Sequence, residues 1–233
     1  MLGTIEGNRD RFKGASWFPF EPDVLVGGSG GIGSSFLFYA ARVGMNLFVY
    51  DNDVVDTSNL SGQMFNESHI DMKKVDAIAD VCRRFSDIEI TGIPELYTED
   101  SEANDIMVGA FDNMDARKVF YANWKAYVKS LDPEAQKKCI LIDGRLEAET
   151  YQIYCVTPDT MEAYETEGLF EDADVPDAVA CTLKQTSHVA GLIGGTMVSY
   201  LTNFYANIKI KRNIRHVPFF TEHSVAMGYI NKR

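Results

Sequence analysis

The chain has 233 residues, 45% hydrophobic and 24% charged, which is enough for one α/β domain with a substantial core. Its 22 Lys and Arg against 34 Asp and Glu leave a net charge of −12. That balance argues against nucleic acid or an anionic membrane as partner, because both are held by a basic face. A small phosphate ligand stays open, since backbone N–H groups and one or two cations suffice to hold it.

Residues 1–22, with Pro19 and Pro22, read as an N-terminal arm, and residues 23–233 as a single domain. The first residues show no charged head followed by an apolar run, so no secretory leader is expected and the cytoplasm is the default compartment. Asp23–Gly28 is a β-branched run ending in glycine, hence a buried strand, and Ser34–Val43 has helical composition. Asn46–Tyr50 is a second strand, closed by Asp51. From Lys73 to Phe85 the apolar spacing is helical, with Val75, Ile78, Ala79 and Cys82 on one face. Further strands are expected at Ile88–Gly92, Asp105–Gly109, Cys139–Asp143 and Tyr151–Val156, with a helix from about Asp115 to Val128. Strands alternating with helices predict a Rossmann-like α/β fold, a mostly parallel sheet covered on both faces, followed by a C-terminal helix and short strands. Residues 159–180 are acidic and read as a solvated loop, with a loop crossing the substrate groove as the alternative. The apolar stretch Val189–Ile208 is interrupted by Gly191, Gly194, Gly195 and polar residues, so it reads as a buried helix rather than a membrane span. Cys82, Cys139, Cys155 and Cys181 contain no C-x-x-C pair, which argues against structural zinc.

Gly28-Ser-Gly30-Gly31-Ile-Gly33 is a G-x-G-x-x-G turn between a strand and a helix. Its glycines permit a tight turn, close approach to phosphate and close helix–sheet packing. The helix N-terminus then offers free N–H groups and partial positive charge to an anion. Asp51, at the end of the next strand, is placed to accept hydrogen bonds from ribose hydroxyls. Up to Asp51 the pattern serves NAD or ATP equally.

The segment beyond Asp51 separates the two nucleotides. Asp51-Asn-Asp53-Val-Val55-Asp-Thr-Ser58-Asn59-Leu60-Ser-Gly62-Gln63 resembles the D-x-D-x-V-x-x-S-N-L-x-R-Q signature of the ThiF/MoeB and ubiquitin-activating-enzyme superfamily, departing from it only at Gly62. Lys74-Val-Asp-Ala77 is similar to that family's K-V-E-A helix start, and Asp112-Asn113-x-x-x-Arg117 to its D-N-x-x-x-R. The resemblance implies an adenylyltransferase that binds ATP and Mg²⁺ and activates a carboxylate, the C-terminus of a small ubiquitin-like or sulfur-carrier protein, within a homodimer. It implies that Asp51 and Asp53 lie at the nucleotide, that Asn59, Gln63 and Lys74 face the phosphates beside Asn113, and that Asp112 ligates Mg²⁺. Lys73 is the neighbouring alternative to Lys74. Asn59 and Gln63 have a second reading as residues that satisfy turn backbone, and Asp112 one as a helix cap. The family arginine is missing at Gly62. Arg145 is a candidate replacement, as are Arg9 and Arg11 of the arm. Cys181 is a candidate nucleophile for a thioester, with core packing as its plain alternative. The alternatives left open are a non-catalytic nucleotide-binding scaffold and an NAD-dependent dehydrogenase.

Overall fold

The computed structural model describes Arg9 and residues 11–170 and 186–233. In chain order the elements are β1 (Asp23–Gly27), α1 (Gly31–Val43), β2 (Asn46–Tyr50), α2 (Lys74–Arg83), β3 (Thr91–Ile93), β4 (Ile106–Gly109), α3 (Met114–Ser130), α4 (Pro133–Gln136), β5 (Ile140–Glu147), β6 (Thr150–Val156), α5 (Met161–Glu167), α6 (Ser187–Lys209), β7 (Phe220–Ser224) and β8 (Tyr229–Lys232). The strands form one sheet in the order β3-β2-β1-β4-β5-β6-β7-β8. The first five strands of that order are parallel. From β5 onward the pairing is antiparallel, so β6, β7 and β8 form a meander on one flank.

Alternation along the strands divides the core in two. Val24, Val26, Ile106, Val108, Ile140 and Ile142 face α1, α2 and α6. Leu25, Met107 and Leu141 face α3 and α5, where Phe120, Tyr121, Trp124 and Tyr164 fill the second layer. Helices therefore cover both faces, as a parallel sheet requires. Strand order reverses beside β1, whose neighbours are β2 and β4. The C-terminal ends of β1 and β4 thus border the crevice where such sheets bind ligands.

α6 lies along α1, and Gly194 makes the close approach possible: a Cβ there would stand 2.7 Å from the Phe36 amide nitrogen and 2.9 Å from the Ser35 carbonyl carbon. The described part of the arm packs on the far end of α6. Phe20 is buried with its ring 4.6 Å from that of Tyr205, the Tyr205 hydroxyl donates to Glu21, and Lys209 Nζ donates to the carbonyls of Phe18 and Pro19.

Several boundaries differ from the sequence reading. α1 begins at Gly31, three residues before Ser34, because the loop glycines already take helical bonds, the first being Ser34 N–H to Gly30 O. β3 is Thr91–Ile93 rather than Ile88–Gly92. It pairs only with β2, and Ile90 is buried outside the strand. The acidic segment is a helix over 161–167, not a solvated loop, because Tyr164 turns inward and is 1% exposed. Residues 171–180 of that segment lie outside the described residues.

Candidate functional site

The turn after β1 sits against the end of β4. Gly28 has φ +89°, and a Cβ there would come within 2.9 Å of the Ala110 carbonyl oxygen. At Gly33 a Cβ would collide with the Gly28 carbonyl, so the helix can press on the turn only with glycine there. Gly30, by contrast, has open space where its Cβ would project. Gly30 and Gly31 open α1, and the amides of the first turn have no intrahelical acceptor. Two backbone bonds fix the turn: Gly28 N–H to Tyr50 O (2.9 Å) and Ala110 N–H to Gly27 O (2.8 Å).

Asp51 is tied to this turn. Its Oδ2 accepts from both the amide and the hydroxyl of Ser29, at 2.7 and 2.8 Å, and its Oδ1 accepts from the Asp53 amide at 2.9 Å. The carboxylate therefore stands at the mouth of the loop in a fixed orientation. Beyond it, residues 53–55 run against residues 71–74, with Lys74 N–H bonded to Asp53 O and Val55 N–H to Met72 O. That pairing sets the two lysines apart. Lys74 is buried and its Nζ donates to Asp53 Oδ2 at 2.8 Å. Lys73 is exposed and donates to the Asn52 carbonyl. The two lysines thus differ in burial and in partner.

Asn59 closes a capping box with Asp56 in the 3₁₀ turn Thr57–Ser61, its Oδ1 accepting from the Asp56 amide at 3.1 Å. In this structure it satisfies turn backbone. The hydrogen bond from Ser58 holds Asp56 below the usual carboxylate range. Gln63 behaves differently. The neighbouring Met64 amide donates to Ser34 Oγ on α1 (3.1 Å), which brings Gln63 beside the loop helix, and its Oε1 is buried with no hydrogen-bond partner. A buried carbonyl without a donor is expensive, so this atom is poised for one that the protein does not supply. Gly62 is buried, with φ −122° that any residue tolerates.

Asp112 follows the end of β4 and is exposed. The N-cap of α3 is Asn113, whose Oδ1 accepts from the Ala116 amide at 2.8 Å, so Asp112 is not the cap. Asn113 Nδ2 donates to Asp112 Oδ1 at 3.1 Å.

Arg145 points into the α3/α5 layer. Its Nε donates to Asp143 Oδ2 at 2.8 Å and one terminal nitrogen to the Gly168 carbonyl at 2.5 Å, with the guanidinium over the rings of Tyr154 and Phe170. Burial alone would lower its pKa, but the Asp143 charge and the neighbouring tyrosines raise it above the usual arginine value. Arg9 is ion-paired to Asp87 and lies over Gly44, at the N-terminal edge of β2. It is thus held at the opposite end of the strands from the glycine turn of its own chain. Cys181 lies outside the described residues. Burial pushes the thiols of Cys82 and Cys139 up to about 12 and that of Cys155 higher still, so none of the three is a nucleophile at neutral pH.

A glycine turn at the switch point of a mostly parallel sheet, with a carboxylate closing the next strand, is the arrangement of the doubly wound α/β class. Residues 20–229 match the ThiF family, and the chain belongs to that family. It is 34% identical over 105 residues, 42% of its length, to the adenylyltransferase and sulfurtransferase MOCS3-1 of Zea mays, of which it covers 22%. Among solved structures it is similar to PaaA, with a TM-score of 0.69 at 15% identity over 91% of this chain and 64% of that one. It is also similar to Escherichia coli MccB with ATP, with a TM-score of 0.65 at 16% identity over 91% of this chain and 64% of that one. At such identities these two likenesses show the fold. The chain spans about a fifth of its curated relative and just under two thirds of the solved chains.

Proposed function

We propose that the chain is an ATP-dependent adenylyltransferase that activates a carboxylate as an acyl-adenylate and releases pyrophosphate. One observation carries this reading: the glycine turn, the anchored Asp51 and the exposed Asp112 follow the C-terminal ends of β1, β2 and β4, and the buried Lys74 is tied to Asp51 through Asp53, in a chain of the ThiF family. The first-turn amides of α1 receive phosphate oxygens, and Asp51 accepts from the ribose hydroxyls. Lys74 places a cation beside the phosphates, and Gln63 would donate to a phosphate oxygen through its carboxamide Nε2. Asp112 fits Mg²⁺: it is a hard, exposed carboxylate at the edge of the phosphate cradle, and Mg²⁺ usually takes one or two carboxylates together with phosphate oxygens. When bound, Mg²⁺ would neutralise charge developing on those oxygens. The acceptor carboxylate we assign to the C-terminus of a small ubiquitin-like or sulfur-carrier protein. Support comes from the names of its relatives, a maize adenylyltransferase and sulfurtransferase and an MccB solved together with MccA.

The test is ATP–pyrophosphate exchange with a panel of small carrier proteins and their C-terminally truncated forms. Exchange that needs the intact C-terminus supports the reading. Family membership weighs against the dehydrogenase alternative. The scaffold alternative has one observation in its favour: Gly62 replaces an arginine, and both Arg145 and Arg9 are engaged elsewhere within the chain. Tight ATP binding without exchange, and exchange appearing in Gly62→Arg, would favour it.

A further inference from the structure

Asp112 has no rigid element of its own. It lies between the end of β4 and the start of α3, and its neighbours hold it. The Phe111 ring lies over Gly27, where a Cβ would collide with it, and packs edge-on against Phe120 with centroids 5.1 Å apart. The Phe111 carbonyl, one peptide before Asp112, accepts from a terminal nitrogen of Arg117, one turn into α3. The other terminal nitrogen donates to the Gly144 carbonyl on β5, at 3.0 Å, and to Asp143 Oδ1. Arg117 is 8% exposed and Asp143 2%. Asp143 in turn accepts on its second oxygen from Arg145 Nε at 2.8 Å and from the Tyr164 hydroxyl at 3.0 Å. Gly144 also touches the loop helix, since a Cβ there would stand 3.2 Å from Ile32 Cγ2. One buried guanidinium thus joins the peptide before Asp112 to the strand that supports the phosphate turn.

We propose that Arg117, fixed by Asp143, is a positioning residue that sets Asp112 against the phosphate loop. The proposal rests on the adenylyltransferase reading, in which Asp112 holds Mg²⁺. The planar fork is essential. It spans two carbonyls and a carboxylate at once, which a lysine ammonium on a flexible stem cannot do. Arg145 then serves the same carboxylate from the other side and does not reach the phosphates.

The test uses Arg117→Lys and Asp143→Asn in the full chain, beside Asp112→Ala. Thermal stabilisation by ATP is titrated with Mg²⁺, and amide hydrogen exchange is followed over residues 110–113 without ligand. In Arg117→Lys and Asp143→Asn the half-saturating Mg²⁺ should rise about 10- to 100-fold, the range seen when an outer partner of a metal ligand is lost. Stabilisation by Mg²⁺-free ATP should stay unchanged, and exchange should quicken over residues 110–113 but not in β1. A lower melting temperature with an unchanged Mg²⁺ requirement, or exchange that quickens uniformly, would overturn the proposal, because a merely structural role predicts that pattern. If Arg117→Lys does not fold, Asp143→Asn alone decides. Wild-type protein that shows no Mg²⁺-dependent stabilisation, or an Asp112→Ala variant that keeps it, would instead overturn the reading underneath, and the two failures are thereby distinguished.

Discussion

At the residue scale the site depends on a few atoms that cannot be moved. Asp51 uses three bonds to fix its carboxylate at the loop mouth, two of them to Ser29. Asp51→Ala removes that anchor together with the proposed ribose acceptor, and hydrogen bonds to a charged group contribute about 1.5–3 kcal/mol. ATP affinity should therefore fall about 10- to 100-fold in a binding titration, and wild-type affinity in this variant would contradict the role. Gly33 is equally constrained, because its neighbour is a backbone carbonyl rather than a side chain that can swing aside. Gly33→Ala should destabilise the fold by about 1–3 kcal/mol or more and abolish ATP stabilisation, read by denaturant and thermal melts. These residues were legible in the sequence because glycine spacing and the Asp51–Gln63 segment are local patterns. The engagement of Arg145 was not, since its partners, Asp143 apart, come from α5 and β6, brought near only by the fold. That Asn113, not Asp112, caps α3 was likewise invisible, because both residue types are good caps.

At the element scale, α1 matters most, because it carries the phosphate loop and must stay pressed on the sheet. α6 holds it there across Gly194. Gly194→Ala would push the helices apart against backbone atoms and should lose about 1–3 kcal/mol. Gly195, one residue on, has only the Tyr39 ring within 4 Å of its Cβ position, at 3.9 Å. Gly195→Ala should therefore be neutral or stabilise by up to about 1 kcal/mol, through helix propensity alone. Equal effects from the two substitutions, measured by urea denaturation, would contradict the packing described. β1 and β2 could be read from their apolar runs, β1 being buried on both faces and β2 buried on one and half-buried on the other. β5 ran on past Asp143 to Glu147 because its antiparallel partner β6 pairs along that whole length. The hairpin between them turns through Ala148, with φ +52°, and carries no Asn-Gly signal. α5 was hidden because its exposed face is acidic and only Tyr164 reveals the other.

At the scale of the whole molecule, one sheet places the β1, β2 and β4 ends together and leaves the β6–β8 meander on the other flank. No helix among the described residues is long and apolar enough to cross a membrane. The interior is rich in buried titratable groups. Burial pushes Cys82 and Cys139 from 9.0 up to about 12, and Tyr97 from 10.0 up to about 12. In the folded chain these groups keep their protons to about pH 12, whereas in the unfolded chain they release them near their ordinary values. Their contribution to stability is therefore fully present below about pH 9 and drains away as pH rises toward 12. The melting temperature should fall as pH rises from about 9 toward 12, and a flat profile over that range would contradict their burial. The same burial predicts that an alkylating reagent at neutral pH labels these thiols only after unfolding.

Nucleotide binding at the β1–α1 turn, with a metal held by Asp112, is the central claim. Its most direct test is thermal stabilisation by Mg·ATP and, separately, by NAD, in wild type and Asp112→Ala. A ligand at about 100 times its dissociation constant adds about 2.7 kcal/mol, enough to shift the melting curve visibly. Mg·ATP should stabilise the wild type, NAD should not, and Asp112→Ala should lose the Mg²⁺-dependent part. Stabilisation by NAD alone, or by neither nucleotide, would contradict the claim.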